Sequence, residues 1–195
     1  RGDLGRELGL ALLEAGVPAN DPSVVNITQF VRYKALAETN TYHVSLVIMF
    51  LDRLGSKDDV GLIQFMTLRL LSGQQGDGSW SYSCDGLTLD GVTQRQLQAS
   101  LIKETKLVVV PEPKKGPAPK PRDDIEFSNP PKKKPDDKPK EEVPVGNKLH
   151  PDVERIAKLM NQGGRGGFVG GGGDHSNTQF ATIGLWCGRR HFVDV

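Results

Sequence analysis

Polar side chains gather at the start of two apolar segments of this sequence, and they are the first candidates for chemistry. Tyr42 and His43 open one apolar run, and a longer polar cluster precedes another. The cluster consists of Asp174, His175, Ser176, Asn177, Thr178 and Gln179. Hydroxyl, amide, imidazole and carboxylate groups in one place suit the binding of a carbohydrate or another polar ligand. The alternative, which we favour, is that these groups cap helices and satisfy one another.

A second candidate is the pair Cys187 and His191, which has the i, i+4 spacing of one helix face. A thiolate and an imidazole at this spacing could both hold zinc. Two ligands do not complete a zinc site, so we expect no metal and no other cofactor. Cys84 is the other cysteine of the chain. Two cysteines allow one disulfide but do not make a disulfide framework, and they leave the redox compartment open.

Nucleotide and nucleic-acid sites are not indicated. The glycine-rich run at 163–173 lacks the Gly-x-x-x-x-Gly-Lys-Ser/Thr pattern of a phosphate-binding loop and follows no predicted strand. The sequence also lacks a Gly-x-Ser-x-Gly nucleophile elbow. The net charge is +1, and the three lysines at 132–134 have acidic residues close by. We therefore predict a solvated charge run and no nucleic-acid partner.

The elements that would position these side chains are predicted to be helices. The run "RELGLALLEAG" has a helical apolar period and is closed by Gly16. A second helix is expected to begin with Asp21 as its N-cap and Pro22 at its first helical position. Its buried stripe is predicted to be Ile27, Phe30 and Val31.

Two broadly apolar helices are predicted next. The run "TYHVSLVIMFLDRLG" is apolar on nearly every face, which indicates a helix buried all round and ended by Gly55. Ser56 followed by Asp59 marks the start of another apolar helix, expected over 58–72. Helices that are apolar on one side thus alternate with helices that are apolar on most sides. This alternation predicts two layers of antiparallel helices joined by short turns.

The remaining chain divides into a helix, a linker and a further helical part. A helix is predicted over 90–106, which completes a first helical unit at 1–107. Residues 108–149 contain ten of the thirteen prolines with many charges, so we expect a disordered linker there. Helices return in 150–195. In the last of them Ser176 and Gln179 fit a capping box, and the expected apolar contacts are Phe180, Ile183, Leu185 and Trp186.

Only a few features of the sequence bear on membrane insertion or export. The longest apolar run, Val44 to Leu51, is shorter than the roughly 20 residues of a membrane-spanning helix. We therefore predict no transmembrane segment in this chain. No signal peptide is visible and the chain does not begin with Met. We expect a fragment of a longer protein. The sequence does not determine its cellular compartment, and export would need a signal peptide before Arg1.

One stretch carries a family resemblance. In "LRLLSGQQGDGSWSY" an apolar helix ends, a glutamine pair follows, and Trp80 comes directly after a tight Gly-Asp-Gly turn. This resembles the repeat shared by terpenoid cyclases, squalene cyclases and protein prenyltransferases, in which Gln is followed by Gly-x-Trp. The matching residues are Gln74, Gln75, Gly78 and Trp80. With "GDHSNTQFATIGLW", the chain is similar to bacterial prenyltransferase and squalene oxidase repeat proteins over residues 1–85 and 150–195.

The resemblance implies an all-α fold, here a partial α/α toroid of helical hairpins with a disordered Pro/Lys-rich insert. It agrees with the two layers predicted from the apolar periodicity. The Gln-Gly-Trp stretch is then expected to be a structural clasp between neighbouring helices. In this view the glutamines bond backbone groups at the helix end, the indole of Trp80 stacks beneath them, and the glycines allow the reversal.

The chemistries that the resemblance implies are incomplete in this sequence. Squalene-type cyclisation needs a strong carboxylic acid in an Asp-x-Asp-Asp arrangement, whereas the Asp58–Asp59, Asp123–Asp124 and Asp136–Asp137 pairs lack the preceding Asp. For Asp58 and Asp59 we expect helix capping. Protein prenyltransfer needs zinc held by Asp, Cys and His, but no Asp-x-Cys element occurs and Asn177 stands where the His is expected.

The expected function is therefore a binding or structural member of the prenyltransferase/squalene-oxidase-repeat group, without a complete catalytic site in this chain. A ligand in the toroid cavity would meet the polar cluster. The alternative is a terpenoid cyclase-like or prenyltransferase-like enzyme whose catalytic residues lie outside this fragment.

Overall fold

The computed structural model describes residues 5–102, 148–162 and 173–193, and within these ranges the chain is all-α. The predicted disordered linker falls almost entirely outside the described residues, as does most of the glycine-rich run. The α-helices are α1 (Gly5–Glu14), α2 (Pro22–Ala35), α3 (Thr41–Leu54), α4 (Val60–Ser72), α5 (Gly91–Leu101), α6 (Pro151–Gln162) and α7 (His175–Arg189). A short 3₁₀ helix, Lys57–Asp59, precedes α4.

Local chemistry sets most of the helix ends. Asp21 caps α2 by accepting a hydrogen bond from the backbone N–H of Ser23, and Pro22 is the first helical residue, as predicted. Asn40 caps α3 in the same way, through the N–H of His43. Gly55 ends α3 with a left-handed φ of 71°, which a glycine adopts without steric cost.

The start of α4 differs from the prediction. Ser56 makes no capping side-chain hydrogen bond, and the chain passes through the 3₁₀ turn before α4 begins at Val60. Asp59 makes no capping bond either. It is 1% exposed and forms two hydrogen bonds of 2.7 Å with the guanidinium of Arg32 on α2. The expected capping role of this carboxylate is wrong, because the guanidinium already uses both of its oxygens.

Helices α1 and α3 lie side by side and run in parallel. Near the start of α1, Arg6 donates a 2.5 Å hydrogen bond to Glu38, which lies three residues before the first residue of α3. Glu14 at the end of α1 accepts a 2.8 Å hydrogen bond from Arg53 near the end of α3. Contacts at matching ends of both helices fix their common direction.

Helix α7 runs parallel to α3 as well. Near its start, the ring of Phe180 makes an edge-to-face contact with Tyr42 at a centroid distance of 4.5 Å. Directly after its end, His191 Nε2 lies 2.9 Å from Asp52 of α3. Helix α3 therefore contacts both α1 and α7, and α4 packs against α3, α7, α6 and α2.

The core is centred on α3 and α4. Both are buried on most faces, as their apolar sequences predict. The fully buried large apolar side chains of these two helices are Ile48, Phe50, Leu51, Leu62, Ile63, Phe65, Met66 and Leu70. On α2 the prediction is only partly right, because Val31 is fully buried while Phe30 is 37% exposed.

Gln64 is a fully buried polar side chain in the middle of α4. Its Nε2 donates to the backbone oxygen of His191 at 2.8 Å and to that of Lys148 at 3.3 Å. Its Oε1 accepts from the backbone N–H of His150 at 2.8 Å. One amide thus joins α4 to the chain before α6 and to the turn after α7, and each half of it is satisfied.

Replacing Gln64 by leucine is expected to lower the free energy of unfolding by about 2–3 kcal/mol, because it leaves backbone groups without their partner. Urea denaturation followed by far-UV circular dichroism measures the change. Gln74→Leu is the matched control, since Gln74 is exposed and bonds only within its own turn. Equal losses for the two variants would contradict the role given to Gln64.

The two chain ends that border residues 103–147 meet over Gly61 of α4. A Cβ placed on Gly61 would lie 2.9 Å from Leu101 Cδ2 and 3.2 Å from His150 Cδ2. Leu101 is the last residue of α5, and His150 directly precedes α6. The stretch between them therefore leaves and re-enters the folded part at neighbouring points.

Within the described residues, none of the helices has the length and apolar character needed to cross a bilayer.

Candidate functional site

The stretch from Gln74 to Trp80 forms a tight hairpin at the end of α4. Gly78 has a φ of 84° and donates its N–H to Gln75 O at 3.0 Å. Gln75 N–H bonds back to Ser79 O at 2.9 Å, and Gln74 and Trp80 are paired as an isolated bridge. The side chain of Asp77 accepts from Ser79 N–H at 2.9 Å and closes the turn. The backbone at Gly78 is in the left-handed region, which residues with a Cβ rarely adopt, and this explains why glycine is needed there.

Trp80 is held against the end of α4. Its side chain is 3% exposed, and its indole N–H donates a 2.8 Å hydrogen bond to Leu70 O. Carbonyls in the last turn of a helix lack the usual partner within the helix, and Leu70 O is bound by both the C-cap N–H of Gly73 and the indole. The glutamines do less than expected, since the exposed amide of Gln74 reaches only Gly78 O at 3.3 Å. The clasp is therefore made by the indole and not by a glutamine.

The residues after the indole lie between the starts of α3 and α7. On one side, Thr41 donates its N–H to Tyr82 O at 3.0 Å and its hydroxyl to Ser81 O at 2.7 Å. On the other side, Asp174 N–H donates to Trp80 O at 2.9 Å. Trp80 N–H in turn donates to the hydroxyl of Thr178 at 3.1 Å. The segment 80–82 thus ties the two parallel helices together.

Asp174 is the N-cap of α7. One of its carboxylate oxygens accepts from Asn177 N–H at 2.9 Å, from the Asn177 side-chain amide at 3.1 Å and from the Ser176 hydroxyl at 2.5 Å. The other oxygen accepts from the hydroxyl of Tyr82 at 3.3 Å. The capping box predicted from Ser176 and Gln179 is wrong, because the carboxylate that precedes Ser176 takes the cap.

These hydrogen bonds lower the pKa of the Asp174 carboxyl. The bond from the Ser176 hydroxyl is the largest cause, followed by the bond from the Asn177 backbone. The sequence nominated Asp174 and Asn177 as ligand contacts, but Asn177 is buried and both side chains are engaged in capping. His175 and Gln179 are exposed on α7.

The capping role of Asp174 predicts a pH-dependent stability. Its folded-state pKa lies below the unfolded value of about 3.9, so its contribution is complete at neutral pH. That contribution is lost as the pH falls through the folded-state pKa. We expect Asp174→Ala to lower the melting temperature at pH 7, with a difference from the parent chain that shrinks at strongly acidic pH.

Asp174→Asn is the control for this prediction. Asparagine keeps a side-chain oxygen that can cap a helix but carries no titrating proton. This variant should therefore stay close to the parent chain at neutral pH. A difference between Asp174→Ala and the parent chain that is the same at pH 7 and pH 3 would contradict an ionised cap.

Tyr42 and His43 lie at the start of α3, beside α7. Tyr42 is half-buried against Phe180, as described above. His43 Nδ1 lies 3.4 Å from the Glu38 carboxylate, whose same oxygen binds the buried Arg6. The predicted residues of the two helix starts are thus on one side of the molecule. Their arrangement combines caps, one ring contact and one charged cluster.

Sequence reasoning missed Glu38, Arg6, Arg69 and Tyr82. Arg69 is 3% exposed and donates to Glu38 O at 3.0 Å, which joins the end of α4 to the start of α3. Burial lowers the pKa of its guanidinium. A charged residue inside an apolar helix such as "LRLLS" was a usable signal, because a buried charge needs a partner.

The proposed zinc pair lies at the other end of α7. Cys187 is buried, and burial raises the pKa of its thiol. His191 uses its Nε2 for Asp52. Among the described residues no three His, Cys, Asp or Glu side chains are arranged to hold a metal ion. Cys84 and Cys187 are both free and buried, and burial raises the pKa of Cys84 to about 11.

The nominated residues therefore fall into two groups. Gln74, Gln75, Gly78 and Trp80 build the hairpin, while Tyr42, His43, Asp174, His175, Asn177 and Gln179 surround the starts of the two parallel helices that it joins. Comparison of the chain with protein-family models, with curated proteins and with solved structures finds no match.

Proposed function

We propose that this chain is a structural and binding module of the prenyltransferase/squalene-oxidase-repeat kind, built as part of an α/α toroid. The proposal concerns a scaffold that holds helical hairpins in register, with any ligand bound at its rim. It assigns no catalytic step to the residues of this chain. The family assignment depends on the Gln-Gly-Trp resemblance of the sequence.

The contacts among the helices support a double-layered array. Helices α1, α3 and α7 are parallel, and α3 contacts both of the others. Helix α4 contacts α2 and α6 and also packs against α3 and α7. A row of α1, α3 and α7 backed by a row of α2, α4 and α6 is what a segment of a curved, two-layered helical ring requires.

The observation that carries the proposal is the position of Trp80. Its indole closes the end of α4, and its backbone binds the start of α7 through Thr178 and Asp174. The same segment binds α3 through Thr41. The motif thus links α4, in one layer, to α3 and α7, in the other layer. A structural link of this kind is the role that the resemblance leads us to expect for the motif.

A ligand would meet the side of the molecule where α3 and α7 begin. The side chains that keep exposed polar groups there are His175, Gln179 and Tyr82, with His43 partly exposed. They could offer hydrogen bonds to a neutral polar ligand. Asp174 and Asn177 are less available, since their groups already bind each other. The geometry thus favours capping as the main task of the cluster and a polar ligand as its secondary task.

Thermal denaturation tests the proposal against the enzyme alternative. The chain is melted alone, with farnesyl diphosphate, with Zn²⁺, and with a neutral oligosaccharide. A ligand that binds the folded state raises the melting temperature in a saturable way. We expect neither farnesyl diphosphate nor Zn²⁺ to change it. A saturable rise with either of them would favour the alternative of a prenyltransferase-like or cyclase-like enzyme.

The melting experiment with the oligosaccharide has its own control variant. If the rise in melting temperature comes from the polar cluster, a His175→Ala/Gln179→Ala variant should lose it, because both side chains are exposed and the substitutions leave the Asp174 cap intact. A rise that survives in this variant would place the ligand elsewhere and remove the cluster from the proposal.

A further inference from the structure

The outer face of α7 is an exposed apolar surface. Trp186 is 63% exposed and Ile183 is 43% exposed, one helical turn apart. Arg190 lies over the Trp186 ring at 4.7 Å from its centroid. Thr182 and Arg189 on the same helix are also exposed. Two large apolar side chains side by side on a helix are typical of a surface that packs against a partner.

The α3/α7 contact is a template for this surface. The sequences of α3 and α7 can be aligned by placing Asn40–Thr41 on Asn177–Thr178. In this alignment, buried residues of α3 coincide with buried residues of α7: Val44 with Ala181, Val47 with Gly184, and Leu51 with Gly188. On α7, Gly184 and Gly188 face Leu70 and Thr67 of α4, and the shared pattern of buried positions gives a register for comparing the two helices. Positions on α3 that face α7 then have counterparts on α7 that face its next neighbour.

Those counterparts are exposed. Three residues of α3 face α7. Tyr42 contacts the ring of Phe180, and Asp52 lies beside His191. A Cβ added to Gly184 would lie 3.2 Å from Ser45 Cα. The aligned residues of α7 are Gln179, Thr182 and Arg189, and all of them are exposed. Helix α7 thus repeats the surface by which α3 receives a neighbouring helix.

Helix α1, at the other end of the row, has a complementary surface. Leu8 and Ala11 are exposed on α1 and Ala15 is exposed directly after its end, with i, i+3 and i+7 spacing. On α7, the buried residues Ala181, Gly184 and Gly188 have the same spacing, and the two glycines lie against Ser45 of α3 and against Leu70 and Thr67 of α4. Small side chains on α1 leave room for a bulky indole. Glu14 stands at the end of α1 and Arg189 at the end of α7, so a parallel pairing places opposite charges at one level.

We propose that the exposed face of α7 binds α1 of a second copy of this chain, head to tail, so that the row of parallel helices continues from one molecule to the next. The inference builds on the double-layered array of the proposed function. A head-to-tail contact uses two different surfaces and leaves one of each free on a pair of chains. Such contacts close into a ring when the rotation between copies permits it.

Sedimentation equilibrium of the whole chain over a range of concentrations tests this proposal. The parent chain should show a mass that rises with concentration. Trp186→Glu and Ala11→Glu should each run as monomers, because each disables one of the two surfaces. An equimolar mixture of the two variants should give the mass of two chains, since one intact surface of each kind remains.

Tyr33→Glu is the matched control, because Tyr33 is 64% exposed on α2 and lies outside both surfaces. It should associate like the parent chain, and circular dichroism checks that every variant is folded. A parent chain that stays monomeric would overturn the proposal. So would an Ala11→Glu variant that pairs with itself, which would indicate contact between two α7 helices. Neither result would affect the array, which is tested by the Trp80 variants below.

Discussion

Replacing Trp80 by alanine is expected to lower the free energy of unfolding by about 3–5 kcal/mol, the cost of deleting a large buried aromatic side chain. The indole is 3% exposed and donates a hydrogen bond to Leu70 O, which also accepts from Gly73 N–H. Trp80→Phe keeps most of the apolar volume and removes only one of the two donors to that carbonyl, which still accepts from Gly73 N–H, so a loss of about 0.5–1.5 kcal/mol is expected. Chemical denaturation followed by circular dichroism measures both changes.

The second tryptophan of the chain provides the control. Trp186 is 63% exposed, and Trp186→Ala should change the stability of the monomer by about 0.5 kcal/mol or less. The fluorescence of the remaining tryptophan then reports on each environment separately. If Trp80→Ala and Trp186→Ala had equal effects, burial of the Trp80 indole against the end of α4 would not be what stabilises this part of the fold.

Asp59→Ala is expected to be similarly severe, with a loss of about 3–5 kcal/mol, because it leaves a largely buried guanidinium without its carboxylate. The carboxylate and guanidinium are 2% and 11% exposed, respectively. Their two hydrogen bonds of 2.7 Å join α2 to the 3₁₀ turn before α4. Denaturation in urea at neutral pH, followed by circular dichroism, measures the loss.

Two further variants distinguish the effect of the Arg32–Asp59 ion pair from the effect of the contacts around it. The double variant Arg32→Met/Asp59→Leu removes both charges of the pair together, so it should be more stable than Asp59→Ala. Glu14→Ala breaks the exposed Glu14–Arg53 pair and should cost at most about 1 kcal/mol. A double variant as unstable as Asp59→Ala would mean that apolar contacts, and not charge pairing, explain the effect.

The helices could be predicted because their signals are local. Asp21, Pro22 and Gly55 lie within a few residues of the ends that they determine, and the apolar content of α3 and α4 reports directly on burial. The predicted capping box at α7 failed for a local reason too. The Asp174 carboxylate lies directly before the helix and accepts from its free N–H groups, whereas Ser176 is already the second helical residue.

The long-range partners could not be predicted in the same way. The sequence places Asp59 far from Arg32, Gln64 far from His150 and Trp80 far from Thr178, and no periodicity links them. Trp186 was expected to be an apolar contact and is exposed. Periodicity identifies an apolar face but does not identify what packs against it, so exposed and buried tryptophans look alike in the sequence.

The meeting of Leu101 and His150 over Gly61 has a consequence for how this protein tolerates changes in length. Because the two points are neighbours, the helices on either side are positioned by their own contacts, with Gln64 holding the returning chain. The entropic cost of closing a longer connection grows only with the logarithm of its length. The stretch 103–147 could therefore be shortened, extended or exchanged for a tag without displacing the helices, which makes it a natural place to graft a reporter.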